Sequence, residues 1–110
     1  MKTFLAAAAL TLALVIPAAT SAADLEKGAG VGCPAGQQGT FAFVVNQTTS
    51  TEPGTVTARF DSGEVWTVGP TTVSKKAREY YVNAFGKLLS ASSSIDGRLV
   101  LDRFWCFPPA

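Results

Sequence analysis

The sequence predicts a mainly β fold: a small antiparallel β-sandwich or barrel, closed by one disulfide and preceded by a cleaved signal peptide. Three observations predict it. From residue 40 onward, short runs of β-branched and aromatic residues alternate with Gly, Pro and Ser turns. Two cysteines, Cys33 and Cys106, bracket those runs. An apolar leader ending in small residues opens the chain.

The leader begins with Lys2, runs apolar from Phe4 to Ile16 apart from Thr11, and stops at Pro17. Thr20 and Ala22 suit a peptidase cut after Ala22; Ser21 and Ala23 suit one after Ala23. The run is shorter than the ~20 residues that span a bilayer. Asp24, Glu26 and Lys27 separate it from Cys33, which puts that thiol too far downstream for lipid attachment. The expected organisation is a signal peptide over 1–22, a Gly/Ala-rich leader over 23–39, a β domain over 40–107 and a tail over 108–110. The mature chain is expected to be secreted or periplasmic, with no membrane span.

Cleavage leaves about 88 residues, enough for one domain that buries roughly two thirds of its unfolded surface. The whole chain carries nine Lys and Arg against eight Asp and Glu. Losing Lys2 balances them, so nothing favours a phosphate backbone, and nucleic acid is not an expected partner. The absence of histidine removes the commonest general base and metal ligand.

In an oxidising compartment Cys33 and Cys106 have one intramolecular pairing, with an intermolecular bridge or free thiols as the alternatives. The bridge would close a loop of about 70 residues, for which chain entropy gives roughly 4 to 5 kcal/mol at most. No Cys-x-x-Cys is present to suggest redox or metal chemistry.

Each element follows from local pattern. Gly28, Gly30, Gly32, Gly36 and Gly39 make the stretch before residue 40 a loose leader pinned at Cys33. Thr40 to Asn46 is a strand with Phe41, Phe43 and Val45 on its core face. Gln47 to Gly54 is a polar loop. Thr55 to Phe60 alternates with period two, placing Val56, Ala58 and Phe60 inward. Asp61 to Glu64 turns the chain, Glu64 to Val68 pairs back, and Gly69-Pro70 stops it. Residues 73–85 fit either a helix capped by Ser74 or a strand around Glu79 to Asn83; Tyr80, Tyr81 and Val82 favour the strand. Lys87 to Ala91 and Arg98 to Phe104 are strands flanking a turn with Asp96-Gly97, and Leu99 and Leu101 face in.

Cys33-Pro34-Ala35-Gly36 followed by Phe41-Ala42-Phe43-Val44-Val45-Asn46-Gln47, with Gly97-Arg98-Leu99-Val100-Leu101 and Cys106 later, resembles a type of small disulfide-closed β module of bacterial secreted and surface proteins. The resemblance covers most of the mature chain. It implies the strands and the Cys33–Cys106 bridge, and no activity. An aromatic-His pair is common in that opening strand; Ala42 stands here in place of the imidazole.

Candidate chemistry is sparse. Asp61 with Glu64 and Asp96 with Asp102 are carboxylate pairs, but acids beside turn glycines are explained by the turns. Asp61-Ser62-Gly63-Glu64 offers too few oxygens for a calcium loop. Ser90 to Ser94 lacks a nucleophile elbow and an activating histidine. Lys75-Lys76-Ala77-Arg78 reads as a solvated basic face that can touch anionic glycans or headgroups. Asn46-Gln47-Thr48 is a glycosylation triplet with meaning only in a host that modifies exported chains. No catalytic group, cofactor or metal is expected.

The aromatics Tyr80, Tyr81, Trp105 and Phe107 are the candidate binding surface, although for those near the C-terminus the preferred reading is that they pack on the disulfide and cover the core, because a small domain needs the apolar burial. The leading expectation is a non-enzymatic exported domain that binds a protein or a cell-envelope component. The second is a secreted inhibitor that presents the 47–54 loop to a protease or other hydrolase.

Overall fold

The computed structural model describes residues 22–107, and these contain strands and no helix. The strands are β1 (Ala23–Lys27), β2 (Gln38–Asn46), β3 (Val56–Phe60), β4 (Val65–Val68), β5 (Thr72–Val73), β6 (Arg78–Ala84), β7 (Leu88–Ser93) and β8 (Arg98–Phe107). They form one sheet in the order β4-β3-β7-β1-β8-β2-β6-β5. The signal peptide expected over 1–22 and the tail over 108–110 lie outside the described residues, apart from Ala22.

Apolar faces decide how this sheet is shaped. Phe41, Phe43 and Val45 of β2 and Val56, Ala58 and Phe60 of β3 are buried, as their period-two pattern requires. Strands β7, β1 and β8 separate β2 from β3 in the sheet, yet the Phe41 and Phe60 rings lie 4.9 Å apart. The sheet therefore curls into a half-barrel around a core that also takes Tyr80, Val82, Ala84, Leu88, Ala91, Ile95 and Leu99. Edge strands β4 and β5 are joined by Gly69-Pro70-Thr71 alone, so the open side stays narrow.

Strand β1 corrects the expectation of a loose leader over 23–39. Ala23 and Asp24 pair antiparallel with Ser93 and Ser92 of β7. Leu25 and Lys27 pair parallel with Leu99 and Val100 of β8. This segment joins the two halves of the sheet, and its parallel contact departs from the expected all-antiparallel plan. The segment at 73–85, open between helix and strand, contains β5 and β6. Residues 78, 80, 82 and 84 alternate inward there, which a helix cannot do.

A bulge in β8 decides the fate of the C-terminal aromatics. Ala42 faces Arg103 while the next residue of β2, Phe43, faces Leu101, so Asp102 is the extra residue. Leu99 and Leu101 point in before the bulge. Beyond it Phe104 and Cys106 point in, and Trp105 and Phe107 point out. Phe104 stacks 4.9 Å from Phe41. Cys106 bonds Cys33 across a Cα–Cα distance of 5.8 Å. The bridge lies over Gly39, where a Cβ would meet the Cys33 sulfur at 2.9 Å, so only glycine fits there.

Candidate functional site

The outer face of the β6–β2–β8 sheet carries two of the exposed aromatics, Trp105 and Phe107, while Trp66 and Phe85 are exposed around Glu64. Across β2, Tyr81 of β6 and Arg103 of β8 both flank Ala42. Asn83 and Trp105 flank Thr40 in the neighbouring row, and Phe107 lies beside Gln38. The Arg103 guanidinium sits between the two rings, 5.7 Å from the Tyr81 centroid and 5.9 Å from that of Trp105. The rings meet edge-on at 6.4 Å. Each such cation–π contact at an exposed site is worth about 0.5–1 kcal/mol.

Polar contacts fix the same cluster. Arg103 Nη2 donates to Glu79 Oε2 at 2.8 Å and also to the Tyr81 hydroxyl. The bond to Glu79 raises the guanidinium pKa above its ordinary value, so Arg103 is charged at any working pH. Thr40 donates to Asn83 Oδ1 at 2.7 Å. Thr40 and Ala42 are buried beneath these side chains although they lie on the sheet's outer face. The large groups lie across the strands instead of standing into water. Trp105 keeps 39% and Phe107 45% of its surface exposed.

Of the four aromatics expected at a binding surface, Tyr81, Trp105 and Phe107 share this face. Tyr80 does not. It is 0% exposed, points into the core, and donates its hydroxyl to Pro53 O at 2.8 Å. Burial raises its pKa against a smaller opposing effect of Arg78. Strand alternation places neighbours on opposite faces, so Tyr80 and Tyr81 could never serve one site. Nothing in the sequence marks Arg103; its place beside Tyr81 follows from both residues pairing with Ala42 across β2.

The basic run is also corrected. Arg78 is 3% exposed and occupies the inward stripe of β6, so it is not part of a solvated face. Its Nε donates to Glu52 O, Nη2 to Ser50 O and Glu52 O, and Nη1 to Ser74 O and Ala77 O. These bonds, with that of Tyr80 to Pro53, hold the 47–54 loop against the barrel. Asp96 holds its start. One carboxylate oxygen accepts from Thr48 Oγ1 at 2.9 Å and the other from Thr49 Oγ1 at 2.6 Å. The Thr49 and Thr48 bonds lower the Asp96 pKa.

Asp61 and Glu64 are engaged in turns and Asp102 in the β8 bulge. Asp61 accepts from Lys87 N at 2.7 Å. Glu64 accepts from Trp66 Nε1, Phe85 N and Ser62 Oγ, and the Trp66 bond is the main cause of its lowered pKa. Asp102 is 3.5 Å from Arg103 Nε. Among the described residues no group of three His, Cys, Asp or Glu could hold a metal ion, and no helix is long and apolar enough to cross a membrane. No protein-family model matches the chain, and neither a curated protein nor a solved structure is significantly similar to it.

Proposed function

We propose that this is an exported, non-enzymatic β domain that binds a protein or a cell-envelope component through the outer face of β6, β2 and β8. One observation carries the reading: exposed Trp105 and Phe107 share one sheet face with half-buried Tyr81, and Arg103 lies between the Tyr81 and Trp105 rings. Aromatic and arginine side chains dominate binding hot spots because they bury much area at little entropic cost. Pre-positioning by Glu79 lowers that cost further. The four acids that sequence pairs up, Asp61 with Glu64 and Asp96 with Asp102, are engaged in hydrogen bonds or an ion pair, which supports a non-enzymatic role. The disulfide agrees with an oxidising compartment. A small disulfide-closed module of bacterial secreted and surface proteins remains the family-level proposal.

The test immobilises the oxidised domain, exposes it to secreted and envelope proteins, and compares it with Tyr81→Ala/Trp105→Ala. Loss of saturable binding by about tenfold or more is expected. Leu89→Ala, exposed on the other half of the sheet, should bind as the parent does. Unchanged capture by the double variant would remove this face as the site.

The inhibitor reading has one observation in its favour: the 47–54 loop is held at both ends, with Thr51, Glu52 and Pro53 exposed. It ranks second because the carbonyls of Ser50, Glu52 and Pro53 are turned inward to Arg78 and Tyr80. A target hydrolase could not use them. No inhibition of a panel of secreted hydrolases at micromolar domain would dismiss it.

A further inference from the structure

At the far end of β2 from the disulfide, a cleft of about 550 Å³ opens between the 47–54 loop and the turn before β6. That size lies in the range of small-ligand sites, roughly 300–1,000 Å³. Its lining includes Lys75, Lys76 and Arg78 and no acidic residue. Neither lysine ion-pairs with a described residue, and both are exposed. Ser74 N donates to Ala77 O at 2.9 Å, so the two lysines sit in the short bend that this bond spans. A second tie, Thr48 N to Lys76 O at 3.1 Å, fixes that turn to the opposite wall.

Arg78 adds charge without offering a contact. A guanidinium has five N–H donors, and here all of them go to backbone carbonyls of the two walls. The buried positive charge is met by backbone dipoles, and among the described residues no carboxylate ion-pairs with it. Its field is therefore left to act on the cleft beside it. Arg78 is a positioning residue: it sets the spacing of the walls and biases the potential. The remaining side-chain donors are the two ammonium groups, the Gln47 amide and the hydroxyls of Ser50 and Thr51, and Val73 is also in the lining.

We infer that this cleft binds an anionic glycan, a sugar carrying carboxylate or phosphate groups. Lys75 and Lys76 take the anionic group, and Ser50 and Thr51 take sugar hydroxyls. A sugar is favoured over a bilayer because membrane docking needs an apolar wedge beside the cations. Val73 is the one exposed large apolar residue in the cleft lining. Trp105 and Phe107 lie at the opposite end of β2, so this site stands apart from the outer-face reading.

The test uses the whole oxidised protein on immobilised polygalacturonate, with neutral dextran and phosphatidylglycerol vesicles in parallel. Saturable, salt-sensitive retention on polygalacturonate and none on dextran is expected. Lys75→Gln/Lys76→Gln should weaken it about tenfold, the loss of two charge contacts. Ser50→Ala/Thr51→Ala should weaken it about threefold. Lys27→Gln/Lys87→Gln and Trp105→Ala should change it less than twofold. Equal losses from both lysine pairs would reduce the effect to diffuse charge and overturn the site. So would absent retention, or abolition by Trp105→Ala. Tighter binding to the vesicles than to polygalacturonate would overturn the sugar assignment.

Discussion

The two ends of the half-barrel are closed by different means. At the start of β2 the closure is covalent: Cys33–Cys106 lies over Gly39, with Phe104 packed beneath on Phe41. At the finish of β2 it is polar: Arg78 and Tyr80 reach up from β6 to loop carbonyls, and Asp96 grips Thr48 and Thr49. A bond shortens the unfolded ensemble, whereas a network of donors satisfies groups that burial would orphan. The difference teaches that a small domain can stabilise one end through the denatured state and the other through the native one. The outer aromatic face and the cationic cleft are the surfaces these closures hold in place.

Removing the covalent closure should have the largest effect. Cys33→Ser/Cys106→Ser is expected to lose about 4 kcal/mol, read as a drop in the urea midpoint with a steeper slope as the unfolded chain expands. Arg78→Met comes next, at about 3 kcal/mol, because the carbonyls of Ser50, Glu52 and Ser74 lose the part-buried guanidinium bonds that tie the two walls together. Arg78→Lys, with three donors for five bonds, should recover only part of it. A loss below about 0.5 kcal/mol for Arg78→Met would mean that water replaces the clamp and the polar end is not a closure.

Gly97→Ala is expected to cost about 1–3 kcal/mol. Gly97 has φ +126° and its added Cβ would meet Asn46 O at 2.6 Å, at the same polar end. The pH dependence sharpens the comparison further. Asp96 has a folded pKa below its ordinary 3.8, so its stabilisation is complete above that value and is lost as pH falls through the depressed one. Acid titration of Asp96→Asn should therefore show less loss of stability below about pH 4 than the parent. Smallest is Trp105→Ala, whose exposed ring should cost the fold under about 1 kcal/mol while removing binding at the outer face.

The covalent end was legible because cysteines are visible and their pairing had one intramolecular solution. The core stripes of β2 and β3 were legible because Phe41, Phe43 and Val45, and Val56, Ala58 and Phe60, alternate without interruption. The polar end was not, because the acceptors of Arg78 are backbone carbonyls, which every residue owns and no sequence marks. Lys75-Lys76-Ala77-Arg78 looks like a charge run until strand parity puts Arg78 in line with Tyr80 and Val82. Strand β1 was hidden by Asp24, Glu26 and Lys27, although Ala23 and Leu25 carry the inward alternation. At the candidate site, the bulge at Asp102 was the missing information: one extra residue reverses which of Phe104, Trp105, Cys106 and Phe107 face water.

Hydrogen exchange in Arg78→Met, with the disulfide intact, tests independent closure most directly. Amides of residues 48–52 and of Gly54 should exchange faster than in the parent, while those of Gly39 to Phe41 beside the bridge keep their protection. Equal acceleration at both ends, or none at the 47–54 loop, would contradict it.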